Sequence, residues 1–264
     1  MTLSDEPLAL LAALLALGAY ALALAPAAQG RRWPGWALNA GWALHGLALV
    51  TAALSGGDGG AAGLRLGFAP VLSFTVWLVV GVYGLEARWL AQPTLRRGLA
   101  LGAAAAVTLA LLYPGEWHAG GLTRWSPLHW VLGMASYGLF GVAVFHGLLL
   151  DASEQRLRRA GPAAAGGGLP LLTLERVTFR FVEGGFVVLT LALAVGLAEP
   201  SWRWGDRKTV LSLLGWAVLA ALIVGRYWRG WRGRQATRWL YAGTLLLLLA
   251  YVGSRFVTEV VLHR

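Results

Sequence analysis

The sequence predicts an all-α, polytopic integral membrane protein, a bundle of about eight transmembrane helices with both termini outside. Composition is the first observation: 58% of the 264 residues are hydrophobic, only 13% are charged, and the mean hydropathy is +0.63. Soluble domains carry about 25% charged residues. The second observation is a series of long apolar runs, and the third is an alternation of basic connections between them.

Eight apolar runs approach the roughly 20 residues that a helix needs to cross the hydrocarbon core. Lipid offers no hydrogen bonds, so each run must satisfy its own backbone as a helix. The fourth run is the shortest and is rich in alanine, which leaves seven spans as the alternative count. The predicted spans are Leu8 to Ala25, Trp36 to Leu54, Phe68 to Leu85, Leu99 to Tyr113, Leu128 to Leu150, Phe181 to Ala198, Val210 to Trp228 and Trp239 to Val261.

Charge orients these spans, because Lys and Arg concentrate in short cytoplasmic connections. With the N-terminus outside, the inner connections hold most of the 22 basic residues. The net charge of +10 therefore reflects topology and does not indicate a nucleic-acid partner. The acidic residues on the predicted outer side are Asp5, Glu6, Asp58, Glu116, Glu199, Asp206 and Glu259.

The first two spans raise one question each. The first is preceded by Asp5 and Glu6 and by no Lys or Arg, which is not the n-region of a secretory signal, so we expect the helix to be retained. In the second, His45 lies near the middle, where an ionisable side chain is costly. Two interpretations of His45 stay open: a cofactor ligand inside the bilayer, or a hydrogen bond to a neighbouring helix.

The connections differ in composition. Residues 55–67 are rich in glycine and predict a short mobile loop without chemistry. Residues 151–178 form the predicted cytoplasmic loop, whose centre, 160–169, is rich in Gly, Ala and Pro and therefore flexible. The stretch DASEQRLRR continues the fifth helix into this loop. The stretch LLTLERVTFRF is either an amphipathic segment on the inner surface or a solvated helix end.

The outer loop 199–209 contains the aromatic and charged segment WRWGDRKT, with Trp202, Trp204 and Asp206. His129, at the start of the fifth span, and His263, at the end of the last, are predicted on the same side. Two histidines over a tryptophan platform suggest heme, because imidazole ligates heme iron and indole rings can cover a porphyrin face. The alternative is that the tryptophans belong to the aromatic belt of the membrane interface.

The charged residues of this loop also have two interpretations. Asp206 either orients a histidine or caps the following helix, which is worth about 1 kcal/mol. Arg207 and Lys208 either neutralise heme propionates or extend to the membrane interface as ordinary cationic side chains. The chain has no cysteine, which excludes thiol exchange and covalent heme attachment through CxxCH. Hydrolase, phosphate-loop and zinc-protease motifs are also missing, so we do not expect an enzyme.

Three later stretches resemble a known family: PLLTLERVTFRFVEGGFVVLTLALAVGL, WRWGDRKTVLSLLGWAV and GWRGRQATRWLYAGTLLLLLAYVGS. With HWVLGMASY, which begins at His129, they are similar to the cytochrome c assembly family of membrane proteins, the CcsA, CcmC and HemX group. The resemblance covers about half the chain, and the GWRGR loop is most similar to the YpjD and HemX-like branch. It implies one membrane domain over residues 1–264, located in the bacterial inner membrane.

The resemblance also implies a function, heme handling in cytochrome c biogenesis or heme homeostasis, with membrane lipid, heme and maturation components as partners. The implied cofactor is non-covalent heme b, with iron ligands at His129 and His263. In the family, the tryptophan motif runs Trp-x-Trp-Asp-Pro-Lys-Glu-Thr. This chain has Trp202, Trp204 and Asp206 with a changed spacing and neither the Pro nor the Glu.

Two alternative functions stay open. The first is a cofactor-free regulatory or accessory subunit, as for HemX-like proteins, and the altered tryptophan motif favours it. The second is a small-solute or ion transporter in which His45 and Glu183 couple the movement of protons. Transporters are often built from inverted repeats, and the sequence shows no such repeat.

Overall fold

The computed structural model describes residues 7–26, 33–54, 63–86, 93–119, 125–160, 171–200, 202–257 and 260. Over these ranges the chain is nearly all helical, with eight helices of 16 residues or more near the eight predicted spans. The helices are α1 (Pro7–Ala23), α2 (Trp33–Leu54), α3 (Phe68–Glu86), α4 (Pro93–Leu112), α5 (Ser126–Ala160), α6 (Leu171–Leu197), α7 (Arg207–Arg229) and α8 (Gly233–Leu248). A π-helical segment, Leu249–Gly253, and a short helix, α9 (Ser254–Phe256), continue α8.

Six described helices are long and apolar enough to cross a membrane: α3, α4, α5, α6, α7 and Gly233–Phe256. The protein is therefore a multi-pass integral membrane protein. Helix α1 is apolar but has only 17 residues. Helix α2 has 22 residues, and Asn39, His45 and three tryptophans lower its hydropathy. The count of eight spans and the outside position of both termini stay predictions.

A short two-stranded sheet is a local exception to the predicted all-α fold, which the described chain otherwise follows. Strand β1 (Gly63–Leu66) pairs antiparallel with β2 (Glu116–Ala119), with Leu66 opposite Glu116. The sequence interpretation placed residues 63–66 in a short mobile loop and was wrong there. Gly115 explains the tight approach, because its φ is +78° and a Cβ would lie 2.6 Å from the carbonyl oxygen of Leu66.

The chain forms two compact units, Met1–Gly121 (unit 1) and Leu122–Arg264 (unit 2). In unit 1, α1 packs on α2 and α4, and α3 packs on α4 and α2. The buried face of α1 follows helical spacing, which lets it pack closely through small residues. It consists of Ala9, Ala12, Ala13, Ala16, Tyr20 and Ala23.

Helix α4 begins earlier than the predicted Leu99, at Pro93. The reason is Arg96, which is 9% exposed and donates hydrogen bonds to the carbonyl oxygens of Ala23 (3.1 Å) and Ala25 (3.2 Å). Ala23 is the last residue of α1 and Ala25 lies just beyond it, so these carbonyls have no partner within that helix and a guanidinium is a favourable cap. The polar first turn of α4 is thereby tied to the end of α1.

In unit 2, α5 packs along α6, α7 packs along α8, and α8 also packs on α5. Helix α5 runs to Ala160 and α6 starts at Leu171, so both ends of the predicted loop 151–178 are helical and its amphipathic segment is the first part of α6. The core residues are Phe140, Ala143, Phe179, Val182, Leu189, Leu219, Leu222, Ala236, Leu240 and Leu247.

Two glycines set the approach of α7 to α8. A Cβ on Gly215 would lie 2.8 Å from Leu247 Cδ2 and 3.2 Å from the carbonyl oxygen of Gly243. A Cβ on Gly243 would lie 2.6 Å from Leu219 Cγ. Small residues that let two backbones approach are a principal means of helix association in membranes.

Gly215→Val is therefore expected to destabilise unit 2 by about 1–3 kcal/mol, because the added side chain overpacks the α7–α8 contact. The measurement is the midpoint of thermal unfolding in detergent. The control is Gly184→Val in α6, where no atom lies within 4 Å of the added Cβ. Equal midpoints for the two variants would contradict this account of the contact.

Candidate functional site

One end of unit 2, the His129 end, brings together segments that are far apart in sequence. They are the first turns of α5, the last turns of α6, and residues 198–200 and 202–206, which precede α7. The predicted outer loop 199–209 is shorter than expected, because α7 already begins at Arg207. The end therefore holds two of the predicted site segments, that of His129 and that of Trp202.

His129 is held by one hydrogen bond. Its Nδ1 lies 2.8 Å from the carbonyl oxygen of Ala192 in α6. A carbonyl oxygen only accepts, so Nδ1 carries a proton, and in the neutral imidazole Nε2 keeps its lone pair. The ring is half-buried, and Nε2 has no hydrogen-bond partner among the described residues. This is the state in which an imidazole ligates a metal, with the second nitrogen fixed by a carbonyl.

Gly196, one turn after Ala192, makes room for this imidazole. A Cβ at this position would lie 2.9 Å from His129 Cε1, 3.2 Å from His129 Nδ1 and 3.3 Å from Trp202 Cζ3. A Cβ is almost never found closer than 3.0 Å to a non-bonded heavy atom. The sequence interpretation missed Gly196, because a glycine within an apolar helix does not reveal which side chain it faces.

Trp202 lies beside His129, as its approach to Gly196 shows. Its ring meets that of Trp204 edge to face, with 5.6 Å between centroids and 82° between planes. Trp202 is half-buried, and its indole nitrogen is buried without a hydrogen-bond partner among the residues that the structure describes. Trp204 is 68% exposed. Trp202 and Trp204 together form an aromatic surface next to the His129 imidazole, and the Trp202 indole N–H at this surface has no acceptor among the described residues.

A hydroxyl–carboxylate contact fixes the turn that carries these tryptophans. Ser126 Oγ, at the start of α5, donates to the Glu199 carboxylate, with both oxygens at 2.9 Å. The backbone N–H of Trp202 in turn donates to the carbonyl oxygen of Glu199 at 3.0 Å. Ser-Pro at 126–127 is a typical helix start, but its spacing from Glu199 gives no indication that they meet.

Asp206 occupies the N-cap position of α7, with φ −71° and ψ 135°. This agrees with the cap interpretation for its position, but its side chain makes no cap hydrogen bond. Asp206 is exposed, and so are the charged side chains next to it in sequence, Arg203, Arg207 and Lys208.

The two other predicted site histidines do not add to this geometry. His263, the second predicted iron ligand, lies outside the described residues. His45 belongs to unit 1 and is 1% exposed. Its Nδ1 is 3.1 Å from the Tyr20 hydroxyl of α1, and its Nε2 is 2.7 Å from Ser73 Oγ of α3. Both ring nitrogens are engaged, so the described geometry is the interhelical hydrogen bond that was one of the two interpretations.

The end of unit 2 opposite His129 has polar contacts of its own. The Asp151 carboxylate accepts from Thr237 and Tyr241, each at 2.9 Å. Arg226, from α7, pairs with Glu175 of α6 at 2.9 Å. Glu183, one of the two coupling residues in the transporter interpretation, accepts from a tyrosine, the Tyr227 hydroxyl, at 2.8 Å.

Comparison with known proteins identifies related sequences. The profile of the family described as Cytochrome C assembly protein matches residues 68–262. An "Inner membrane protein YpjD" from Escherichia coli strain K12 is 31% identical, over 94% of this chain and 98% of that protein. An "Uncharacterized 28.8 kDa protein in nifR3-like 5'region" from Azospirillum brasilense is 30% identical, over 72% of this chain and 76% of that protein.

A more distant match carries a functional name. A "Cytochrome c biogenesis protein CcsA" from Picosynechococcus sp. is 33% identical over 86 residues, which is 31% of this chain and 25% of that protein. No solved structure matches the chain at a significant level.

His45→Ala is expected to lower the stability of unit 1 by about 1–3 kcal/mol, since it leaves the hydroxyls of Tyr20 and Ser73 buried without the imidazole. Thermal unfolding in detergent is the measurement. Thr108→Ala serves as the control, because this hydroxyl is exposed and bonds only within its own helix, to Ala104 at 2.9 Å. An unfolding midpoint of His45→Ala equal to that of the wild type would show that the interhelical hydrogen bonds of His45 do not stabilise unit 1.

Proposed function

Because the chain belongs to the cytochrome c assembly protein family, we propose that it binds heme at the His129 end of unit 2. The chain is a multi-pass protein of the bacterial inner membrane. In this proposal it serves cytochrome c biogenesis or heme homeostasis, as the name of the CcsA relatives suggests. The predicted topology puts the His129 end on the outer side, where cytochromes c are assembled.

The observation that carries the proposal is the state of the His129 imidazole. Ala192 holds the protonated Nδ1, and Nε2 presents a lone pair without a partner in the described chain. A histidine fixed in this tautomer loses little conformational freedom on binding iron, and the carbonyl contact raises the basicity of the ligating nitrogen. In this proposal His129 would hold the heme iron through Nε2.

The surroundings of His129 suit a flat, largely apolar group with carboxylates at one edge. Trp202 and Trp204 supply aromatic surface for contact with a porphyrin face. The buried, unpartnered indole N–H of Trp202 offers a hydrogen bond to an anionic group at the edge. Arg203, Arg207 and Lys208 are exposed beside it and provide positive charge for propionates.

Heme b, when bound, would supply an iron centre. Following the family resemblance, His263 would hold the iron together with His129. The chain's own residues would bind, orient and partly cover the group, and we propose no enzymatic activity. Since the chain has no cysteine, any covalent attachment of heme takes place on another protein.

A second candidate function is a cofactor-free accessory subunit. The altered motif favours it, because the Pro and Glu of the family pattern are missing and the Asp206 side chain makes no hydrogen bond in the described structure. In this case the His129 end is a protein contact surface. The two functions differ in one measurable property, the affinity for heme.

His129→Ala is expected to weaken heme binding at least about tenfold, which corresponds to about 1.4 kcal/mol. Hemin is titrated into the detergent-purified protein and the Soret absorbance is followed. Free imidazole added to the variant should restore the low-spin spectrum of the wild type, which separates a lost ligand from a lost fold. Wild-type protein that binds no hemin would contradict the proposal and favour the accessory subunit.

Gly196→Ala is expected to weaken heme binding about tenfold, although the His129 side chain is still present. The reason is that the added methyl group displaces the His129 ring and Trp202. The same titration measures it. Gly184→Ala, in the same helix with no atom within 4 Å, is the control and should bind hemin like the wild type. Unchanged binding by Gly196→Ala would show that the Ala192 contact does not position the ligand.

A further inference from the structure

The exposed face of α8 carries charge at one end and apolar side chains along the rest. Its members, here called the α8 stripe, are all exposed: Arg234, Arg238, Ala242, Leu245 and Leu249. Their spacing of three and four residues places them on one side of the helix and its π-helical continuation. The two arginines lie at the end of unit 2 opposite His129, and Leu245 and Leu249 are 54% and 45% exposed.

The arginines of the α8 stripe have no ion pair in the part of the chain that the structure describes. Residues 207–257 contain no Asp or Glu at all. The carboxylates at this end of unit 2 are engaged elsewhere: Asp151 by Thr237 and Tyr241, Glu154 by Arg158, Glu175 by Arg226, and Glu183 by Tyr227. The positive charge of the stripe is therefore open to an external anion.

The turn before α8, at the base of the stripe, has a defined conformation and packs against neighbouring side chains. Gly230 and Gly233 have φ of +66° and +54°, backbone angles that residues with a side chain rarely adopt. A Cβ on Gly233 would also lie 2.8 Å from a Glu154 carboxylate oxygen. Trp231 and Trp239 pack with 5.0 Å between ring centroids.

We propose that the α8 stripe binds an acidic phospholipid. Arg234 and Arg238 hold the phosphate, and the acyl chains lie along Ala242, Leu245 and Leu249. From Arg238 to Leu249 the helix rises about 16 Å, since each residue adds about 1.5 Å. One leaflet of the hydrocarbon core is about 15 Å thick, so the apolar part of the stripe has the length of one acyl layer.

The length of the apolar part argues for a lipid over free phosphate, because an inorganic anion uses only the two guanidinium groups. Net negative charge distinguishes the acidic lipid from a zwitterionic one, whose ammonium group opposes the arginines. Exposed Trp228, at 86%, and exposed Arg229, at the end of α7, are typical of residues at a headgroup boundary.

Helix α6 offers a matched comparison. Arg176 and Arg180 are exposed, have the same spacing of four residues and lie at the same end of unit 2, and an apolar face follows them with Val187 and Leu191. The difference is Glu183, which lies three residues after Arg180 on α6 itself, whereas α8 contains no Asp or Glu of its own. We expect the Glu183 carboxylate to repel an acidic headgroup from α6.

The test uses the full-length protein in detergent, stripped of lipid and titrated with phosphatidylglycerol, cardiolipin, phosphatidylethanolamine or inorganic phosphate. Bound lipid is counted by native mass spectrometry. We expect the wild type to prefer the two acidic lipids, and Arg234→Gln/Arg238→Gln to bind them about tenfold more weakly. Arg176→Gln/Arg180→Gln should bind like the wild type. The melting temperature of each lipid-free variant establishes that it is folded.

Three outcomes would overturn the proposal. The first is equal binding of acidic lipid and phosphatidylethanolamine by the wild type. The second is an equal loss of affinity for acidic lipid in the two double variants, which would show that any exposed pair of arginines has the same effect. The third is competition by inorganic phosphate alone that displaces the lipid completely. If the glutamine variant is unfolded, Leu245→Asn/Leu249→Asn replaces it, and wild-type lipid binding in that variant would equally contradict the proposal.

Discussion

The His129 end of unit 2 depends on one hydrogen bond, between Nδ1 of His129 and the carbonyl oxygen of Ala192 at 2.8 Å. This bond joins α5 to α6, sets the tautomer of the imidazole and leaves Nε2 with its lone pair. It forms because Gly196, one turn further along α6, has no Cβ to occupy the space of the ring. The same glycine contacts Trp202, so one missing side chain positions both the imidazole and the indole.

The membrane environment explains why several buried polar side chains hydrogen-bond to one another between helices. A buried polar group without a partner is costly in lipid, and several of the described ones meet a partner from another helix. His45 joins Tyr20 and Ser73 in unit 1, and Asp151 joins Thr237 and Tyr241 in unit 2. Arg226 likewise joins Glu175. Among the described residues, the Trp202 indole nitrogen is one of the few buried polar atoms without a hydrogen-bond partner, together with Thr244 Oγ1 and Arg97 Nε, and it lies at the proposed site.

Much of this fold was predictable from sequence, because hydropathy and helix length are local properties. The helices from α3 to α8 lie close to their predicted spans, and the segment with Trp202 and Trp204 lies beside His129, as the proposed platform requires. Contacts between distant residues were not predictable. Gly196, the Ser126–Glu199 contact and the early start of α4 at Pro93 all depend on which helix faces which, and an apolar sequence does not contain that information.

The most direct test of the central interaction is electron paramagnetic resonance of the ferric, hemin-loaded protein, grown on ¹⁵N-labelled histidine. The proposed geometry predicts a low-spin spectrum with ¹⁵N hyperfine coupling from a coordinated imidazole, and the loss of one such coupling in His129→Ala. Heme that binds without histidine nitrogen coupling, or a coupling pattern identical in wild type and variant, would contradict the assignment of Nε2 of His129 as the axial ligand.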